Sequence, residues 1–148
     1  KIQAARALTR MPKPVTPRLT ADCVAVDAKG RVLLIRRKHP PFVGHYALPG
    51  GFVDVGETVE DACRRELMEE TGVKAGALQL VGVYSDPKRD SRFHTAAVAY
   101  LTRVRAPKAV AGDDAAAAEW VTDWRKEALA FDHALILRDA MRLLKQGR

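Results

Sequence analysis

The stretch from Pro49 to Val73 constrains this chain of 148 residues more than any other. It begins with Pro49-Gly50-Gly51, where the missing side chains permit unusual backbone angles and close approach of a ligand to the main chain. A helix signal follows. Thr58 can cap it, and Asp61 three residues on stands in the capping-box position. Val59, Cys63 and Leu67 recur every four residues and form one buried stripe. Gly72 falls where a left-handed C-terminal cap is expected. The spacing thus predicts a helix from Thr58 to Glu70. Glu66, Glu69 and Glu70 lie at i, i+3 and i+4, so their carboxylates share one side. They also crowd the last turn, where the helix dipole prefers cations. On a solvated surface each like-charge clash costs only about 0.2–0.5 kcal/mol, so a wet acidic face remains open. The alternative is a hard-cation site. Mg²⁺ takes oxygen ligands, usually a few carboxylates with waters and substrate phosphates, and the Gly50 carbonyl offers a further oxygen.

The rest of the chain frames that segment. Residues 1–17 read as an irregular basic N-terminal arm, broken by Pro12, Pro14 and Pro17, and residues 18–148 as a single domain. Ala21 to Val26 and Arg31 to Arg36 flank Asp27-Ala28-Lys29-Gly30 and read as a β-hairpin. Tyr46 to Leu48, Leu78 to Tyr84, His94 to Val104 and Glu119 to Val121 are further strands. Ser85 to Arg92 and Ala106 to Ala118 are expected loops, and His133 to Lys145 a closing amphipathic helix. Strands mixed with two helices indicate an α/β domain.

Charge is uneven. The net +7 combines five basic and no acidic side chains in the first 21 residues with seven of the 18 acids between Asp54 and Glu70. A basic excess suits either nucleic acid or small phosphate anions. The acidic cluster, set in an otherwise basic chain beside a glycine turn, suits phosphate chemistry through bridging Mg²⁺. No apolar run approaches the length of a membrane span. Cys23 and Cys63 form no CxxC and read as two free thiols of a cytoplasmic protein. Neither GxGxxG nor a P-loop pattern occurs.

Gly51, Glu57, Arg65-Glu66-Leu67, Glu69-Glu70 and Gly72-Val73 match G-x5-E-x7-R-E-U-x-E-E-x-G-U without a break, U being apolar. The chain therefore resembles the Nudix hydrolases. The resemblance implies a Nudix-type α/β/α sandwich with a mixed β-sheet. It also implies hydrolysis of a nucleoside diphosphate linked to another group, with Mg²⁺, or Mn²⁺, as cofactor. It assigns Glu66, Glu69 and Glu70 to the metal, with the Gly50 carbonyl as an additional ligand, and has Glu57 and Arg65 brace the loop against the helix. An extra acid from the later loop, Asp113 or Asp114, joins the metal site in similar proteins. Such sequences often carry Glu where this chain has Ala117.

Pro87, 15 residues after Gly72, and the loop Gly82 to Arg92 resemble those of ADP-ribose pyrophosphatases, although Ser91 stands where proline is usual. On that resemblance the substrate is ADP-ribose, cleaved to AMP and ribose 5-phosphate, and Pro87 and Arg92 belong to its site. The alternatives are a nucleotide-pool sanitising pyrophosphatase, acting on an oxidised nucleotide or a dinucleoside polyphosphate, and a non-catalytic ligand sensor. Arg36 ends a strand near the expected cleft, where a guanidinium fork suits phosphate oxygens. Tyr46 and Phe42 can stack on adenine. Similar ADP-ribose-cleaving proteins are often dimers, which implies a homodimer acting on a small nucleotide and not on nucleic acid.

Overall fold

The computed structural model describes residue 12, residues 14–105 and residues 115–147. The chain runs β1 (Arg18–Val26), β2 (Val32–Arg37), β3 (Tyr46–Ala47), β4 (Gly50–Phe52), α1 (Val59–Thr71), β5 (Leu78–Tyr84), β6 (Thr95–Arg103), β7 (Ala115–Val121), a 3₁₀ turn (Trp124–Lys126) and α2 (His133–Gln146). The described part of the expected N-terminal arm, Pro12 and residues 14–17, carries no helix or strand. Among the described residues no helix is long and apolar enough to cross a membrane.

Among the described residues one sheet holds seven strands in the order β3-β2-β1-β6-β5, with β4 paired to β1 and β7 to β2. It is mixed: β1 and β6 run parallel along their whole length, and the other pairs are antiparallel. Alternation along β1 builds two cores. Ala21, Cys23 and Ala25 face α1 with its Ala62, Cys63 and Leu67. Val24 and Val26 face α2 with its Ile136, Leu137 and Ala140. The sheet is therefore covered on both sides, which is the expected α/β/α sandwich.

α1 is built as its local signals require. The Thr58 hydroxyl accepts the Asp61 N–H at 3.1 Å. Gly72 takes φ 71° and returns its N–H to Met68. Tyr100 of β6 donates to Glu60 and ties the first turn of α1 to the sheet.

Two expectations change. Pro49-Gly50-Gly51 is not a free turn, because Gly50–Phe52 pairs with β1, Asp22 opposite Gly50 and Thr20 opposite Phe52. The strand expected at Glu119 begins at Ala115, paired along β2, while residues 106–114 lie outside those described. In both places the pairing partner imposes extended backbone on residues with little strand preference of their own.

That pairing also opens a cleft. β1 meets β2 at Val26 and Val32, next to the hairpin turn. Beyond it the two separate: β4 takes over the edge of β1, and β3 and β7 flank β2. A cavity of about 370 Å³ lies between them.

Candidate active site

The register places the Gly50 main chain toward the cavity side. Cys23 N–H donates to Pro49 O at 2.8 Å and Val53 N–H to Leu19 O at 3.0 Å. In an antiparallel pair only alternate residues exchange such bonds, so Gly50 directs its N–H and C=O away from β1. Its N–H points to Glu70 Oε2 at 3.4 Å. A methyl group on Gly50 would strike Ala21 O and Asp22 Oδ1, and one on Gly51 would lie 2.6 Å from the Glu66 carboxyl carbon. Close approach to the Ala21 main chain thus requires a glycine at position 50, whereas a side chain at position 51 would displace the Glu66 carboxyl group.

α1 supplies the acids. Glu66 and Glu70 line the cavity. Glu70 is buried, and that burial, reinforced by Glu66 beside it, raises its carboxyl well above the usual range. Glu69 turns outward with its side chain 59% exposed, its Oε2 3.2 Å from Arg65 Nη1. The helical spacing put all three on one side, but only two enter the cavity.

Arg65 organises the edge of this site. Its Nε and Nη2 grip Glu57 at 3.0 and 2.6 Å, Nη2 also donates to Phe52 O at 3.0 Å, and Nη1 donates to Glu66 Oε1 at 2.7 Å. Arg65 and the Asp54 N–H hold the Glu57 carboxyl down to about 2. The loop after β4 folds back onto α1 through this one guanidinium.

The opposite wall is cationic. Arg37 and Arg92 both line the cavity and flank the Phe131 ring, at 4.9 and 5.7 Å from its centroid. Arg37 donates to Pro41 O at 2.6 Å and His39 O at 3.2 Å. Arg92 is gripped by Asp90 at 3.1 and 2.8 Å. Arg36 and Tyr46 are placed elsewhere. They share a face with Leu34 and meet Glu119, Tyr46 by its hydroxyl and Arg36 Nε at 3.5 Å. Successive residues of a strand point oppositely, so Ile35 and Arg37 enter the cavity and Arg36 does not. Pro87 does not line it either. It occupies the turn in which Asp86 O accepts the Arg89 N–H at 3.0 Å, and this turn delivers Arg89. Phe42 is 41% exposed and packs edge-on against Phe131 at 5.2 Å. Asp113 and Asp114 lie outside the described residues.

The cavity floor carries residues that sequence reasoning did not assign. Arg89 makes a bidentate pair with Asp132 at 2.9 and 2.6 Å and donates to Thr95 Oγ1 at 2.7 Å. Asp22 is buried, and that burial raises its carboxyl to about 7. His133 stands beside it. The sequence signal for Asp22 was an acid inside the apolar run Ala21–Val26; Arg89 and Asp132 are 43 positions apart and left none.

The site's chemistry fits a hard cation. Two adjacent carboxyl groups, one of them buried, share a space with a main-chain carbonyl. Among the described residues no three His, Cys, Asp or Glu side chains converge on one point. The donor set therefore suits an ion that keeps waters and takes further oxygens from a phosphate ligand.

The comparisons with known proteins agree with this fold. The NUDIX domain model matches residues 16–143, and the chain belongs to the Nudix family. It is 42% identical over 142 residues, 96% of this chain and 83% of the relative, to an ADP-ribose pyrophosphatase of Methanocaldococcus jannaschii. A MutT/nudix family protein from Enterococcus faecalis superposes with a TM-score of 0.87 at 30% identity, over 98% of this chain and 68% of that one. The NUDIX domain of Shewanella oneidensis NrtR, crystallised with ADP-ribose, gives 0.87 at 27% identity, over 95% of this chain and 97% of its own. Nudix hydrolases generally use divalent metal ions.

Proposed function

We propose that the chain hydrolyses ADP-ribose to AMP and ribose 5-phosphate with a divalent cation, Mg²⁺ or Mn²⁺. The observation that carries this is the polarity of the cavity, with Glu66, Glu70 and the Gly50 main chain on one wall and Arg37, Arg92 and Phe131 on the other. The likeness to the Methanocaldococcus jannaschii ADP-ribose pyrophosphatase supports the substrate.

Glu66, Glu70 and the Gly50 carbonyl would hold the cation, with Glu69 at the rim and Asp114 as an additional acid. When bound, the cation supplies neutralisation of the diphosphate and a lowered pKa for its water. Arg65 fixes Glu57, Glu66 and the Phe52 carbonyl in one frame, so the acid wall is set before substrate arrives. Arg37 and Arg92 draw in the anionic substrate and orient its oxygens. Phe131 offers a ring face between them. A cavity of about 370 Å³ suits a small nucleotide and not a nucleic-acid strand. Leu80 and Val83, exposed on edge strand β5, support a homodimer. The buried free thiols Cys23 and Cys63 support a reducing, cytoplasmic setting.

Incubation with ADP-ribose and Mg²⁺ tests the reading. AMP and ribose 5-phosphate should appear in equal amounts. No AMP, together with turnover of 8-oxo-dGTP or a dinucleoside polyphosphate, would replace the substrate.

A further inference from the structure

His133 is the first residue of α2 and is buried, 5% exposed. Its Nδ1 accepts the Leu48 N–H at 3.0 Å, so the ring proton belongs on Nε2. Nε2 faces Asp22 Oδ2 at 3.8 Å, and the Phe131 ring lies 5.4 Å away. Leu48 lies in the connection from β3 to β4. The connection is held at both ends by main-chain bonds: Tyr46 exchanges them with Ala128 and Ala130, and Pro49 O accepts from Cys23. Between those ends, Pro49 has no N–H, and the Leu48 N–H goes to His133 alone among the bonds of the described residues. Two residues later comes Gly50, whose main chain turns toward Glu70.

We propose that His133 is a positioning residue of the active site. By accepting the Leu48 N–H it fixes the path of Leu48-Pro49-Gly50, and so the place of the Gly50 carbonyl relative to Glu66 and Glu70. The proposal rests on the reading of the site given above, but the contact and its effect on the main chain are measurable without substrate. A histidine that merely filled the core would act through volume and burial. A positioning histidine acts through one acceptor atom, which a shorter amide can replace and a longer one cannot.

His133→Asn places an amide oxygen near the position of Nδ1. His133→Gln places it near Nε2, out of reach of Leu48. In H133Q the amides of Leu48, Gly50 and Gly51 should exchange with solvent about 10-fold or more faster, while those of β6 do not change. Mn²⁺ affinity should fall about 10-fold, and kcat about 10- to 100-fold, with KM within about 3-fold of wild type. H133N should stay within about 3-fold of wild type on each. Unchanged exchange and kcat in H133Q, or equal impairment of the two variants, would overturn the proposal. If the wild type cleaves no diphosphate, the functional reading fails, and exchange and Mn²⁺ affinity still decide the role of His133. If H133Q does not fold, the wild type decides: a ¹⁵N–¹⁵N coupling across the Leu48–His133 hydrogen bond supports the contact, and its absence removes it.

Discussion

Two arginines organise this molecule, and they do so in different solvents. Arg65 gathers Glu57, Glu66 and Glu69 at the mouth of the cavity, and its side chain is 28% exposed. Arg89 pairs with Asp132 on the floor and is 5% exposed. Both make bidentate forks of similar length. Near the surface the first is partly screened, and the ordering of its side chains offsets much of the Coulomb gain. In the interior the second is hardly screened, and removing either partner strands a charge. The half-buried cluster at the mouth therefore frames the acids with little effect on stability, and the buried one holds the floor of the cavity.

The sharpest way to break this contrast is Asp132→Asn, which leaves Arg89 buried without its carboxylate. Denaturant unfolding should show a loss of about 3–5 kcal/mol. A loss below about 1 kcal/mol would mean that the floor pair is screened like the one at the mouth. Next comes Glu70→Gln. Turnover should fall about 100-fold or more, equivalent to about 2.7 kcal/mol, with the fold intact. Stability should hold or rise, because an ionisable group leaves a buried site.

The floor also carries an opposed pair of titrations. Burial holds the His133 imidazole down to about 3, so its contribution to stability is lost as pH falls from about 6.5 toward 3. Burial raises the Asp22 carboxyl to about 7, so its contribution is full below about 4 and lost as pH rises toward 7. Between about pH 4 and 6.5 the two slopes cancel. Relative to wild type, H133N should lose stability as pH rises through that window, and Asp22→Asn should lose it as pH falls, each by up to about 1.4 kcal/mol per pH unit. Parallel curves for the variants and wild type would show that Arg89, Asp132, Arg37 and Glu66 around the pair absorb the charge. The smallest effect belongs to the mouth. Arg65→Gln should move unfolding by less than about 1 kcal/mol, yet lower kcat.

What the sequence revealed follows the same division. α1 was readable because its signals are local: a Thr58 cap, a four-residue stripe and a glycine stop. β5 was readable at Leu78–Tyr84 for the same reason. β4 was hidden because Gly50 and Gly51 have no strand preference and are extended by β1. The four alanines that open β7 were hidden likewise by their dependence on β2. At the end of β2 the sequence offered three cations in a row, and only the phase of the strand selects Arg37 over Arg36. Arg89, Asp132, Asp22 and His133 meet across the fold, and no periodicity within one segment records such a meeting.

The central claim is that Glu70, with Glu66 and the Gly50 carbonyl, receives a divalent ion. Titration of Mn²⁺ into the wild type and into E70Q, followed by electron paramagnetic resonance of the free ion, tests it most directly. The wild type should bind Mn²⁺ and E70Q should bind it at least about 10-fold more weakly. Equal affinity in the two would contradict the account.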